Sequence, residues 1–349
     1  MVSLPAATPP PVSFFPIRTV WTERLSGQLS APPGFRDSLG YFPMADSHLA
    51  AWDLTIGRQL WVAEADVHSK PAADDQLIFI AESDALVALS AADGSRAWRV
   101  TLDAADRALA TPLVWDNGWL IAATESGAII GFRASDGHLI WRHNLGSPLR
   151  APPALAADRV YLPAGDGRIV ALQVETGAKV WEHRLGGPPS DVLALDDRLY
   201  VGSLDNFFYC LLAKDGRVAW RFPTGGDVIG LPLVDDRRVY FSSLDNILRA
   251  LDRRSGSQQW RRALPLRPTR GPLQLARTLI VSGSGPTLHA YLAQDGQPAG
   301  DLPAGAALIG TPHVVTEPLL LVLVTTDLTN GAVITAIGHK EKEEEADQR

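Results

Sequence analysis

The 349-residue sequence contains one cysteine and two methionines. A single cysteine excludes an internal disulfide and any metal cluster built from cysteine thiolates. Cys210 lies in the apolar segment FFYCLL, so we expect it to be a small buried thiol. The sequence therefore predicts a structural role for Cys210.

Excess positive charge and long apolar runs are also absent. The formal net charge is −7 at pH 7, whereas a domain that binds nucleic acid usually carries a basic field. The longest apolar run, LLLVLV at residues 319–324, is about a third as long as a membrane-spanning helix. We therefore expect no nucleic-acid partner and no transmembrane segment.

Motifs for common catalytic and metal sites are missing as well. The eight histidines show no spacing such as HExxH, and there is no GxSxG motif, phosphate-binding P-loop or dinucleotide-binding motif. His143 and His183 each follow a tryptophan by two residues, which indicates a repeated position rather than a ligand pair. The sequence thus favours a protein without catalytic residues, metal or cofactor.

What the sequence does contain is a repeated phrase in which a glycine is followed four residues later by a tryptophan. The six copies are Gly57/Trp61, Gly94/Trp98, Gly137/Trp141, Gly177/Trp181, Gly216/Trp220 and Gly256/Trp260, with successive tryptophans 37 to 43 residues apart. A seventh copy keeps Gly296 but has Gly300 in place of the tryptophan, and Trp21 lies 40 residues before Trp61. A period of about 40 residues indicates a repeat protein.

Each repeat also contains β-rich runs joined by turn residues. A proline near the start of most repeats is followed by a run such as RVYLP, then a run such as RIVALQ, and then the glycine turn. Such runs, bounded by Gly, Asn or Asp, indicate strands and tight turns, and no stretch has a useful helical period. Four such strands, named A to D from the inside outwards, form one blade of a β-propeller.

The number of blades follows from the two ends of the repeat region. The C-terminal part, from ALIGTPHVV onwards, supplies strands A, B and C, while the segment around Trp21 supplies a strand D alone. We therefore predict an all-β fold, an eight-bladed β-propeller of four-stranded antiparallel blades, with the last blade closed by the N-terminal strand. Such closure removes exposed sheet edges.

The repeated glycines and tryptophans are predicted to be structural. A glycine supplies the positive φ of the hairpin between strands C and D. A large aromatic side chain at a fixed place can wedge two neighbouring sheets. The same interpretation covers Trp21 and Gly296.

The predicted propeller spans residues 17–338, and the two ends differ from it in composition. Residues 1–16 are proline-rich and are predicted to form an extended tether. Residues 339–349, HKEKEEEADQR, are predicted to form a charged flexible tail. The start shows neither a signal-peptide pattern nor a lipobox cysteine.

The D–A and B–C loops should share one face of the propeller, because neighbouring strands are antiparallel. Near the inner rim, the D–A loops present charged candidates for partner binding: His68, Arg107, Arg150, Asp191, Asp227 and Arg270. Their order predicts a basic sector and an acidic sector around the channel mouth. The B–C loops add Asp84, Glu125, Asp166, Asp205, Asn206, Asp245 and Asn246. These residues either cap their own turns or orient a protein partner, and the sequence leaves both open.

The segment ALQVETGAKVW at residues 171–181 resembles the repeat of pyrroloquinoline-quinone-like propellers, and the resemblance covers residues 17–338. This superfamily includes quinoprotein dehydrogenases, sensor domains fused to kinases, and the BamB-type lipoproteins that assist outer-membrane protein assembly. The length and blade count are most similar to the BamB type. The resemblance implies a non-catalytic scaffold without cofactor, a monomer within a larger complex, whose partners are proteins of membrane-associated assembly machinery at the periplasmic side of the outer membrane.

Two other functions stay open. One is a quinone-dependent dehydrogenase or another propeller that binds a small molecule. Quinoprotein alcohol dehydrogenases, however, have a vicinal disulfide and acidic and asparagine ligands for Ca²⁺, and one cysteine cannot form that disulfide. The other is a sensor or an accessory subunit of a different membrane complex.

Overall fold

The computed structural model describes residues 14–327 and 331–340, which form 32 β-strands and one 3₁₀ helix, Ala104–Asp106. The strands make eight four-stranded antiparallel sheets. In blades 1 to 7 the strands follow the order A–B–C–D along the chain. The predicted eight-bladed propeller is therefore confirmed.

The first seven blades have the following bounds. Blade 1 consists of β2 (Gly34–Arg36), β3 (Leu39–Met44), β4 (His48–Asp53) and β5 (Arg58–Glu64), and blade 2 of β6 (Ala72–Ala73), β7 (Leu77–Ala81), β8 (Ala85–Ser90) and β9 (Arg96–Thr101). Blade 3 consists of β10 (Val114–Asp116), β11 (Trp119–Ala123), β12 (Ala128–Arg133) and β13 (Leu139–Asn144). Blade 4 consists of β14 (Ala154–Ala156), β15 (Arg159–Pro163), β16 (Arg168–Gln173) and β17 (Lys179–Arg184). Blade 5 consists of β18 (Pro189–Leu195), β19 (Arg198–Ser203), β20 (Phe207–Leu212) and β21 (Val218–Pro223). Blade 6 consists of β22 (Val228–Val234), β23 (Arg238–Ser243), β24 (Ile247–Asp252) and β25 (Gln258–Ala263). Blade 7 consists of β26 (Leu273–Leu275), β27 (Thr278–Val281), β28 (Thr287–Leu292) and β29 (Pro298–Pro303).

Blade 8 joins the two ends of the chain. Its strands A to C are β30 (His313–Val315), β31 (Leu320–Asp327) and β32 (Gly331–His339), and its strand D is β1 (Ile17–Arg24). β1 runs antiparallel to β32, with Ile17 opposite His339 and Arg24 opposite Val333. The outer edge of the last sheet is thus paired by the N-terminal strand, as the sequence predicts.

The repeated tryptophan of one blade contacts the repeated glycine of the next. All seven repeat glycines have φ between 65° and 75°, and a Cβ added to any of them would lie 2.5 to 2.8 Å from a carbon of the facing indole ring. Six indole Nε1 groups also donate a hydrogen bond to a backbone carbonyl three residues before that glycine. These pairs are Trp61–Ala91 (3.0 Å), Trp98–Ala134 (2.9 Å), Trp141–Val174 (2.6 Å), Trp181–Ala213 (2.9 Å), Trp220–Arg253 (3.2 Å) and Trp260–Ala293 (3.1 Å).

The seventh copy lacks its tryptophan at the junction with blade 8. Gly300 pairs with Ala290 in the sheet, as Trp260 pairs with Ala250 one blade earlier. Blade 8 has no C–D hairpin, because its strands C and D come from opposite ends of the chain, so no hairpin glycine is there to receive an indole. Phe15 lies over Gly300 instead, and Phe14 beside it is 1% exposed.

The ends of the propeller differ slightly from the predicted boundaries. Phe14 to Pro16, assigned to the tether by composition, contact the propeller: the Pro16 carbonyl accepts a hydrogen bond from the Lys340 amide at 2.8 Å. His339, assigned to the tail, ends strand β32. The rest of the predicted tether, residues 1–13, and of the predicted tail, residues 341–349, lies outside the described residues.

The core is a ring of eight apolar clusters, each lying between two neighbouring blades. Between blades 2 and 3, for example, Phe79 and Leu86 pack against Leu120 and Ile130. The seam between blades 8 and 1 is built in the same way. Because each sheet buries both faces, its strands are apolar on both sides, and the loops carry the polar chemistry.

Substitution of a repeat glycine tests the contact between blades. Gly216→Ala places a methyl group 2.5 Å from the Trp181 ring at a φ of +72°. We expect the free energy of unfolding to fall by about 3 kcal/mol, from backbone strain together with overpacking. Gly118→Ala is the matched control, because its φ is +83° but no atom lies within 4 Å. It should lose about 1 kcal/mol, and equal losses in urea unfolding would show that the indole contact is not the determinant.

Candidate functional site

The D–A and B–C loops lie on one face and are joined by backbone hydrogen bonds. The amide of Leu102, at the start of a D–A loop, bonds to the carbonyl of Asp84 in the B–C loop of the same blade at 2.8 Å. The amide of Glu125 bonds to the carbonyl of Ala108 at 2.8 Å. Equivalent bonds recur in the other blades. The loops on this face therefore form a connected surface around the central channel.

Most B–C loop carboxylates are used within their own blades. Asp84 is paired with Arg99 at 2.5 Å and Asp166 with Arg168 at 2.7 Å. Asp205 accepts hydrogen bonds from the Tyr209 hydroxyl at 2.5 Å and from a loop amide. Asn206 and Asn246 occupy left-handed turn positions, with φ of 64° and 59°. This geometry is that of turn capping.

Asp245 forms the tightest of these networks. Its carboxylate accepts hydrogen bonds from Arg249 at 2.5 Å, from the Ser243 hydroxyl at 2.6 Å and from the Gly225 amide at 3.0 Å. The Arg249 side chain is only 6% exposed. Burial alone would raise the pKa of Asp245, but the bonds from Arg249 and Ser243 outweigh it and lower this pKa to about 2.

The D–A loops and inner strands enclose an axial cavity of about 650 Å³. Three of the predicted rim residues, Arg150, Asp191 and Arg270, line it together although they come from different blades. Asp191 therefore shares one cavity with two of the predicted rim arginines, and the division of the rim into a basic and an acidic sector stays a prediction.

Lys70 also lines the axial cavity, and sequence reasoning did not single it out. Lys70 directly precedes Pro71, one of the recurrent prolines at the start of strand A. Thr311, which directly precedes Pro312, lines the cavity as well. The position before the repeat proline is thus the sequence signal that could have located Lys70.

The inner strand of blade 5 brings Asp191 into the cavity. β18 has seven residues, whereas the inner strands of blades 1 to 4 have two or three. Val192 stands where most repeats have a proline, but this exchange does not set the strand length, because β22 of blade 6 contains Pro232 and is also seven residues long. Val192 pairs with Val201, so the strand extends past Asp191 towards the loop face.

The basic side chains that line the cavity are unpaired within the described part of the chain. In residues 14–327 and 331–340, no hydrogen bond or ion pair engages the side chains of Lys70, Arg150 or Arg270. Burial lowers the pKa of Lys70 and of Arg270, and it raises the pKa of Asp191. Each shift has the sign expected for partial desolvation of an unpaired charge; Arg270 and Asp191 are half-buried, whereas the side chains of Lys70 and Arg150 stay exposed to solvent.

The remaining rim candidates lie elsewhere. His68 and Arg107 line a separate depression of about 280 Å³ together with Glu82. His68 Nε2 is 2.9 Å from Asp66 Oδ2, and Arg107 Nε donates to the Leu102 carbonyl at 3.2 Å. Asp227 is half-buried and lines neither cavity.

The cavity does not fit the Ca²⁺ and disulfide arrangement of quinoprotein alcohol dehydrogenases. It is lined by one carboxylate, Asp191, and by no asparagine. No group of three His, Cys, Asp or Glu side chains within the described part of the chain is placed to hold a metal ion. Cys210 is buried within β20 of blade 5 and accepts a contact of 3.6 Å from Arg198 Nη1.

Comparison with known families now identifies the group to which this propeller belongs. The sequence pattern of the family described as outer membrane protein assembly factor BamB matches three overlapping segments, residues 18–111, 81–195 and 185–341. The chain belongs to the BamB family. Together these segments span the whole ring, including the strand that closes blade 8.

Individual relatives agree with this assignment. BamB from Yersinia pestis is 32% identical over 111 residues, a segment that spans 30% of this chain and 28% of the Yersinia protein. The crystal structure of BamB from Moraxella catarrhalis is similar with a TM-score of 0.74 and 24% identity, covering 93% of this chain and 98% of that one.

The same fold occurs in an enzyme. Quinohemoprotein alcohol dehydrogenase from Comamonas testosteroni is similar with a TM-score of 0.70 and 14% identity, covering 95% of this chain and 78% of the dehydrogenase. At this identity the likeness concerns the fold alone. No helix within the described ranges of this BamB-family chain is long and apolar enough to cross a membrane.

Removal of the Asp245 charge should destabilise the propeller in a pH-dependent way. Asp245→Asn leaves the Arg249 guanidinium buried without its counter-charge, so we expect a loss of about 3 kcal/mol in the free energy of unfolding at pH 7. The pKa of Asp245 is lower in the folded than in the unfolded chain. Its stabilisation is therefore present above about pH 4 and is lost as the pH falls towards 2.

Urea unfolding between pH 3 and pH 7 measures this difference. Asp205→Asn is the control at the equivalent position of blade 5, where Tyr209 takes the place of Arg249. Asp205→Asn leaves no buried cation without its counter-charge, so the free energy of unfolding should fall by only about 1 kcal/mol. A deficit in Asp245→Asn that stays constant down to pH 3 would contradict this account.

Proposed function

We propose that this protein is a non-catalytic scaffold for outer-membrane β-barrel protein assembly, which binds protein partners through one face of the propeller. The observation that carries the proposal is the match of the BamB family to the entire ring, residues 18–341. The proposal includes a place in the periplasm, at the outer membrane, and a single copy of the chain within a larger complex.

The geometry of the loop face supports a docking role. The connections between blades are short and attached to a closed ring of sheets, so the loops are presented with little freedom. The B–C carboxylates are largely occupied by their own turns, whereas several D–A side chains are available. Charges of both signs near a rim fix the orientation of a partner. We assign partner docking to His68, Arg107, Arg150, Asp191, Asp227 and Arg270.

The alternative functions receive less support. A quinone-dependent dehydrogenase shares the fold at 14% identity, but the axial cavity offers one carboxylate and no asparagine. A sensor or accessory subunit of another complex would also use loop docking, and only the identity of the captured partners separates it from an assembly scaffold.

Recovery of partners from native membranes tests the proposal. The bait carries His68→Glu and Arg107→Glu, which reverse the basic part of the rim outside the axial cavity. We expect wild-type protein to capture components of outer-membrane β-barrel assembly machinery, and the variant to recover about tenfold less, equivalent to about 1.4 kcal/mol.

The control reverses a charge on the opposite face. Arg254 lies in the exposed C–D turn of blade 6, so Arg254→Glu should leave recovery unchanged. Equal recovery by the wild type and the rim variant would remove the docking face from the proposal. Capture of a different membrane complex in place of assembly machinery would overturn the function itself.

A further inference from the structure

The axial cavity suggests a second activity that does not depend on the scaffold function. We propose that the axial cavity binds a small, aliphatic, doubly charged anion, either a dicarboxylate or a phosphate monoester, through Lys70, Arg150 and Arg270. No protein partner is needed for this binding.

The charge balance of the cavity sets the charge of the ligand. Lys70, Arg150 and Arg270 contribute three positive charges and Asp191 one negative charge, so the net charge of the lining is 3 − 1 = +2. The whole chain, in contrast, has a net charge of −7. A dianion would neutralise the lining. The lining is thus a positively charged region in a protein whose net charge is negative.

The three cations line one cavity although they come from distant parts of the chain. They come from the loops that enter blades 2, 4 and 7, so no local run of basic residues brings them together. The backbone that carries them is fixed: the Arg150 amide donates to the Pro163 carbonyl at 3.1 Å, and the Arg270 carbonyl accepts from the Ser242 hydroxyl at 3.2 Å. A preorganised site of this kind binds without ordering its loops.

Without a ligand, the arrangement costs stability. Asp191 is the one acidic group in the lining, and burial lowers the pKa of Lys70 and Arg270, which disfavours their charged forms in the unliganded protein. The same side chains carry no bond to described protein groups. Perturbed, unpaired charges in a cleft are characteristic of binding sites.

The lining also determines the shape of the ligand. A volume of about 650 Å³ is within the usual range for small-molecule sites. Two guanidinium groups can form paired hydrogen bonds with carboxylate or phosphate oxygens. The apolar wall includes Ile229, Leu231 and Leu233, with no aromatic residue among the lining side chains. A compact aliphatic anion therefore fits better than a flat aromatic one, which would need a ring to stack on.

Calorimetric titration of the full chain with two probes tests the site. Inorganic phosphate and succinate are titrated separately at pH 7 and low ionic strength, with acetate as the monoanion. We expect a Kd between micromolar and low millimolar for one dianion, and binding at least tenfold weaker for acetate. The dianion that binds more tightly tells which of the two chemistries the site prefers.

Substitutions locate the binding in the cavity. Arg270→Gln and Arg150→Gln should each weaken the dianion at least tenfold. Arg254→Gln removes the same charge from the opposite face and should leave its Kd unchanged. An equal effect of all three substitutions, absence of binding by both dianions, or binding only of an acidic peptide would overturn the proposal.

Thermal unfolding gives a readout that is independent of affinity. The pKa of Lys70 is lower in the folded chain, so its charge opposes folding at pH 7, and this opposition is relieved only as the pH rises past the lowered pKa. Because Lys70 is still exposed to solvent, Lys70→Gln should raise the Tm of the unliganded protein only slightly, and it should reduce the further rise produced by saturating dianion. A lowered Tm in a folded Lys70→Gln variant would contradict the site.

Discussion

The contact between an indole ring and a glycine of the next blade is the constraint on which the ring depends. The glycine is required twice at one position, because the hairpin needs a positive φ and the facing ring leaves no room for a Cβ. The indole N–H then bonds to a carbonyl of the same hairpin. Each blade is thereby set against its neighbour at a fixed distance, and the period of about 40 residues in the sequence is the trace of this geometry.

The closing blade shows what happens where this contact cannot form. Strands C and D of blade 8 come from opposite ends of the chain, so the hairpin that would receive an indole is missing, and the donor blade has Gly300 in place of tryptophan. Phe14 and Phe15 occupy this junction. On the other side of blade 8, Trp21 covers Gly57, but its buried Nε1 has no partner among the described residues. Both contacts of the closing blade thus differ from the six regular ones.

The fold could be predicted almost completely because each blade is specified by a short local sequence pattern that recurs along the chain. Strands, hairpin glycines and the shared last blade follow from patterns that recur in register. The site followed only in part. Arg150 and Arg270 from D–A loops and Asp191 from strand β18 line one cavity, but His68 and Arg107 lie in another depression. The orientation of a loop side chain depends on the residues between strands D and A and on the length of strand A, which is two residues in blade 2 and seven in blades 5 and 6. The loop residues and the length of strand A vary from repeat to repeat, so the repeat pattern could not predict the orientation of these side chains.

A closed ring can carry unpaired charges at its axis because its stability lies elsewhere. The eight clusters between blades bury nearly all of the apolar side chains of the sheets, and the energetic cost of three unpaired cations is small beside that burial. The rim and the cavity of the loop face overlap, because Arg150, Asp191 and Arg270 belong to both. A dianion in the cavity would remove two positive charges from the centre of the face on which we place protein docking. Because electrostatic complementarity acts on orientation and association rate, occupancy of the cavity would alter the rim that a partner meets, without any movement of the blades.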